Sequence, residues 1–293
     1  MPSRFCLVAY LYKDWPEPEA DLTKPFEFGA GVRLQRVEPW MQSGSVAEPL
    51  GRIQREILAE PHRFVIAVDY EAENADRGAV RKLQDATTAL WLAKPSAVGS
   101  RLRLDLRQID DEVWIPTHIG AAVRLHALET YKNARLTAED LKAARKLYFA
   151  LTALPEEGPV RMAATMLLDA LHASSWPLRY AQLWIALEGL FGAQSPGEVI
   201  FQLAYRMATF LKGGGSDGRE LFRRVKRDYA IRSAIVHGMR EKRIADSDDV
   251  MATAEDWVQQ ALLKILSDAT VTEKFNAKTR DQWLEEMIFD ITN

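Results

Sequence analysis

The stretch ARLTAEDLKAARKLYFALTALPEEGP, residues 134–159, marks where this chain changes character. Thr137 and Asp140 have capping-box spacing, in which the hydroxyl accepts from the third helical amide and the carboxylate reaches back to the cap amide. Leu141, Ala144, Leu147, Tyr148 and Leu151 then recur at helical period, and the PEEGP turn ends the run. Downstream of this point the sequence reads as helix after helix. Upstream it reads mainly as strands.

The downstream segments share one grammar. The second helix is expected from about Val160 to Ala173. The third opens at Pro177, at the favoured first position, and carries LRYAQLWIALEGLF to Gly192. Ser195, Pro196 and Glu198 form another capping box that starts the fourth, which reaches the GGG at 213–215. The fifth begins after Ser216 or Asp217 and runs through Arg232 toward Gly238. ADSDD starts the sixth, with Val250, Trp257, Val258, Ala261 and Ile265 on one face. A short seventh is capped by Thr279 and uses Trp283, Leu284 and Met287. Amphipathic helices joined by short connectors predict a bundle.

Upstream, RFCLVAYLY, FEFGAGVRLQRVE, RFVIAVDYEAE, RLRLDLRQID and DEVWIPTHI are short, rich in β-branched and aromatic residues, and punctuated by Pro, Gly and Asp. One helix, Arg77 to Pro95, interrupts them. The expected fold class is therefore α+β. A mixed α+β sheet domain over 1–133 precedes an all-α domain over 134–293.

A net charge of -3 and 47% hydrophobic residues over 293 positions describe a globular chain without a general polyanion coat. No apolar run approaches the roughly 20 residues of a membrane span, and no signal-peptide pattern opens the chain, so a cytoplasmic protein with no membrane partner is expected. The single cysteine, Cys6, excludes an internal disulfide framework and a multi-cysteine zinc site, and reads as a core residue of the first strand. His126 and Glu129, one helical turn apart with His118 nearby, have metal-like spacing, but no second ligand pair supports them and no metal is expected. The triple glycine lacks the Gly-Lys-Ser/Thr ending of a phosphate-binding loop and reads as a helix connector.

One short segment carries chemistry. DYAIRSAIVHG, Asp228 to Gly238, ends a helical pattern with an arginine, four residues, a histidine and a glycine. Alone the Arg-x4-His pattern is weak, and Arg55 and His62 satisfy a relaxed version elsewhere. Its setting adds more. Nine Lys/Arg against three acidic residues fall between Arg219 and Arg243, a local excess that suits a polyanion. At about 100° per residue, Arg232 and His237 lie roughly 140° apart on a straight helix, so one site needs a helix end at His237 or a matching pair from a second chain.

WIALEGLFG (Trp184 to Gly192), LAYRMATFL (Leu203 to Leu211) and YAIRSAIVHG (Tyr229 to Gly238), in that order, resemble the HEPN superfamily, and most of all its Apea-like branch linked to phage defence. The resemblance covers roughly Thr137 to Leu266. It implies a HEPN-type bundle and a metal-independent endoribonuclease without cofactor, homodimeric through this domain, with the motifs of two protomers forming a composite site on RNA. By position it implies Arg232 and His237 as catalytic residues. Ser233, Glu188, Arg227 and Arg240 are candidates for substrate binding. A phage-derived trigger or an antitoxin is a possible further partner.

The residue types suit that chemistry. A histidine titrating near neutrality can take the proton of a ribose 2′-hydroxyl or give one to the leaving oxygen, and an arginine can donate two hydrogen bonds to phosphate. The same residues also admit structural roles. His237 can finish a helix, Arg232 can serve an ion pair, and Glu188 can pair with Arg206 or Arg232. A non-catalytic module that binds RNA or a protein partner is the alternative function.

Overall fold

The computed structural model describes residues 4–11, 15–29, 31–60, 63–71, 76–110, 113–120, 133–173, 175–192, 199–237 and 247–290. The chain forms two compact units, Met1–Ala153 and Leu154–Asn293.

The first unit is built on a six-stranded sheet of order β2-β3-β4-β1-β5-β6, comprising β1 (Phe5–Leu11), β2 (Phe26–Gly29), β3 (Val32–Arg36), β4 (Phe64–Tyr70), β5 (Ser100–Asp110) and β6 (Val113–Gly120). All five pairings are antiparallel, where a mixed sheet was expected. Chain spacing accounts for the two edges, since β3 starts at Val32 soon after β2 ends at Gly29 and β6 starts at Val113 soon after β5 ends at Asp110, spacings that only antiparallel neighbours accept.

β1 lies at the centre, with Val8 opposite Ala67 of β4 and Leu104 of β5. It is buried at every position, which explains why FCLVAYL is apolar throughout rather than alternating. Cys6, Val8 and Tyr10 join Val65, Ala67, Leu102, Leu104 and Leu106 in a core closed by Met41, Val46, Leu50, Ile57 and Leu58. Those closing residues come from a 3-10 turn at Pro39–Gln42, two short helices, α1 (Gly44–Ala47) and α2 (Arg52–Leu58), and the bend between the helices, which holds Leu50. Their four and seven residues are too few to show helical period in sequence. β6 is an edge strand, which is why it tolerates Pro116.

α3 (Asp76–Ala93) packs against β1, β3 and β4, and α4 (Ala138–Thr152) packs against α3 and β2. The capping box at Thr137 and Asp140 forms as expected. Yet α4 belongs to the sheet unit. Its buried face meets Phe28 through Tyr148, with ring centroids 5.5 Å apart, and Asp140 also takes Lys94 at 3.2 Å. The compact units thus meet one helix later than the 133/134 boundary read from composition.

The second unit is helical, with α5 (Pro159–His172), α6 (Trp176–Phe191), α7 (Val199–Lys212), α8 (Gly215–Val236), α9 (Ser247–Leu266), α10 (Ala269–Asn276) and α11 (Arg280–Asp290). Pro177 occupies the second helical position of α6, after Trp176. α10 is an addition to the helices read from the sequence, and it starts where the Asp268 carboxylate accepts from the amides of Thr270 and Val271. Ser195 to Glu198, expected to cap α7, lies outside the described residues, as do Gly238, Arg240, His126 and Glu129.

α6 packs against α5, α7, α8 and α9, and so carries the core of the unit. Tyr180, Leu183, Trp184, Leu187, Leu190 and Phe191 are fully buried on it. Arg179 of α6 and Glu255 of α9 form an ion pair in which both side chains are almost completely buried. Replacing one partner of such a pair strands a charge inside the protein.

Candidate functional site

The site is built where α6 ends and α8 ends. The last turn of α6 leaves carbonyls without intrahelical partners, and two arginines supply the missing donors. Arg280 donates to the carbonyls of Gly189 at 2.6 Å and Gly192 at 3.2 Å, and Arg206 donates to Gly192 at 3.3 Å. Arg206 is held in turn by Glu285 at 3.0 Å and Asp281 at 3.5 Å. Glu188 therefore stands on a helix end that is fixed from outside.

From α8, Arg232 donates through Nη2 to Oε2 of Glu188 at 2.8 Å, with side chains 19% and 24% exposed. Of the two arginines considered as partners for Glu188, Arg232 makes the pair and Arg206 goes to α11. The Arg232 guanidinium also lies 5.5 Å from the ring centroid of Tyr229, which packs edge-on against Trp184 at 5.3 Å. Burial and the Glu188 carboxylate raise the Tyr229 hydroxyl above its ordinary pKa. Oε1 of Glu188 and Nε of Arg232 are both buried at this pair.

His237 is the C-cap of α8, with φ −86° and ψ 6°, and its amide donates to the carbonyl of Ser233 at 3.1 Å. Helical geometry thus persists up to it. The ring is exposed, whereas Arg232 leaves the helix toward α6. No hydrogen bond joins Arg232 to His237 among the described residues, in keeping with their angular separation on the helix. Ser233 is half-buried between them.

Arg227 is exposed but tied to the buried Asp228 at 2.9 Å, a carboxylate that Arg224 also approaches at 3.6 Å. Arg224 reaches on to Asp249 at 3.2 Å and Thr253 at 2.7 Å. Arg224 thereby fastens α8 to α9, whereas Arg227 is paired within its own helix. Arg219, Arg223 and Lys226 are exposed and have no ion pair among the described residues. The basic excess read from the sequence thus divides into a structural set and an open set.

Tyr229 and Trp184 went unremarked as site residues in the sequence, although both lie in the quoted segments. Their signal was the aromatic at one helical turn before Arg232. No group of three or more His, Cys, Asp or Glu suited to a metal occurs among the described residues, where His118 is an exposed residue of β6. No described helix is long and apolar enough to cross a membrane. Comparison of the chain with protein-family models, curated proteins and solved structures yields no match.

Proposed function

We propose that the helical unit is a metal-independent endoribonuclease of HEPN type, with Arg232 and His237 of two copies forming one site on RNA. The observation that carries the reading is the division of labour at the end of α8. An arginine is oriented by Glu188 and Tyr229, and a histidine stands exposed five residues on. The two leave the helix in different directions, and a second copy supplies what one lacks.

In the reaction the 2′-hydroxyl attacks the adjacent phosphorus while one His237 imidazole takes its proton. The bond to the 5′-oxygen breaks as the other imidazolium donates a proton to it. Arg232 stabilises the charge that builds on the phosphorane oxygens. The products are a 2′,3′-cyclic phosphate and a 5′-hydroxyl. A role in phage defence or a toxin system rests on the family resemblance of the sequence alone.

The test is incubation of wild type and His237→Ala with labelled RNA and matching DNA in EDTA, with end-group analysis. Cyclic-phosphate RNA fragments from wild type alone are expected, with DNA intact. RNA fragments that persist in His237→Ala would defeat the assignment. One observation favours a second reading, a non-catalytic RNA-binding or protein-binding module. The 2.8 Å pair with Glu188 gives Arg232 a structural occupation. RNA that is retarded equally by wild type and His237→Ala, and cleaved by neither, would establish that reading instead.

A further inference from the structure

The GGG run that read as a plain connector forms one wall of a cavity. Between the end of α7 and the start of α8, Gly213, Gly214, Gly215 and Gly218 face Phe201, Tyr205 and Phe222 around a space of about 440 Å³. This falls within the range of small-molecule sites. Gly213 and Gly215 take positive φ values of 70° and 84°, and a Cβ built on either meets nothing within 4 Å. Their bare backbone leaves that side of the space open.

The opposite wall is aromatic and partly open to solvent. Phe201 and Tyr205 stack nearly parallel, with centroids 5.7 Å apart and planes at 19°. Phe222 stands edge-on to both, at 5.4 Å and 6.2 Å. Phe201 is 43% exposed and Tyr205 37%, although rings of this size are ordinarily sequestered. Thr209 and Arg219 add polar groups to the lining.

What leads away from the cavity identifies its occupant. At about 100° per residue, Arg219, Phe222, Arg223, Lys226, Ala230 and His237 all fall within a sector of about 100°, so they form one stripe along α8. The three cations on it are those without an ion pair among the described residues, and Lys226 also lies 5.4 Å from the ring of Phe222. Glu220 and Asp228 fall on other faces of the helix. An aromatic slot opening onto an unpaired cationic ridge is the combination that holds a single-stranded polynucleotide, with bases on rings and phosphates on Lys and Arg.

We infer that the cavity between α7 and α8 binds a nucleobase of single-stranded RNA, whose backbone follows the α8 ridge toward His237. The inference rests on the ribonuclease reading for the choice of RNA. Fifteen residues at 1.5 Å each place Phe222 about 22 Å along the helix from His237. The cavity is thus a distinct base-binding site several nucleotides from the scissile bond.

DNA separates this site from the chemistry, because stacking does not need the 2′-hydroxyl that cleavage does. Single-stranded DNA of about eight nucleotides, within the span of such grooves, and an abasic strand of equal length are titrated by fluorescence anisotropy onto the full-length protein. Tyr205→Ala is expected to weaken the base-bearing strand about tenfold and leave the abasic strand unchanged, with Tyr205→Trp restoring affinity. Arg223→Gln together with Lys226→Gln weakens both strands alike and lowers the salt dependence by about two ions.

Unchanged affinity in Tyr205→Ala, or an equal loss for both strands, overturns the site. So does a change in sedimentation without a change in affinity, which would make the aromatic face a contact between proteins. RNA cleavage with no effect of Tyr205→Ala on affinity leaves the nuclease and removes the cavity. Base-dependent DNA binding with no RNA cleavage leaves the cavity and removes the nuclease.

Discussion

Removing Glu188 tests whether the end of α8 is organised as described. The carboxylate holds Arg232 at 2.8 Å, and the two side chains are 24% and 19% exposed. Exposed ion pairs contribute about 0–1 kcal/mol, and breaking fully buried ones costs about 3–5 kcal/mol. A pair about four-fifths covered falls between, so Glu188→Ala and Arg232→Ala should each lose about 1–3 kcal/mol. Arg232→Ala lies at the upper end because its guanidinium also stacks on Tyr229. The double variant should lose less than the sum, with a coupling of about 1–2 kcal/mol. Urea unfolding followed by both far-UV circular dichroism and tryptophan fluorescence measures this, using two probes because two compact units can unfold separately. Glu188→Gln keeps the shape while removing the charge, and should cut RNA cleavage through misplacement of Arg232 while retaining most of the stability. Strictly additive losses would refute the reasoning, since two side chains that do not sense each other cannot be orienting each other.

Other consequences follow from single contacts. Thr137→Ala removes the hydroxyl that accepts from the Asp140 amide and should destabilise the sheet unit by about 1 kcal/mol, read as a lower urea midpoint. Cys6 is buried in the central strand, and burial together with the Asp69 charge pushes its thiol far above the ordinary range. An aromatic disulfide reagent should leave it untouched in the native protein and react fully in guanidinium; fast native reaction would contradict its placement. His172 is held below its usual value of 6.5 by burial, with Nδ1 2.8 Å from the Leu168 carbonyl. Its folded pKa is thus below its unfolded one, so the unfolded state takes up the proton first and stability falls as pH drops through 6.5. Melting temperature should decline between about pH 7.5 and 5.5, and His172→Gln should flatten that decline. Asp169, raised by burial, acts in the opposite sense at lower pH.

The sequence by itself determined what depends on near neighbours. A helix makes its hydrogen bonds within four residues, so period, caps and breakers are written locally, and α4 to α9 stand close to where those signals put them. The strands were legible for the same reason, as was the basic character of α8. The tertiary structure alone decided the rest, because those features join residues far apart in the chain. The antiparallel order of the sheet, the packing of α4 with that sheet, and the choice of Arg232 over Arg206 as the partner of Glu188 across 44 positions all turn on which buried surfaces fit together. So does the slot where Phe201 and Tyr205 face a glycine run, since only the packing of α7 against α8 brings it into being. Local hydrogen bonding repeats with a period that can be read along the chain, whereas shape complementarity between distant surfaces has none.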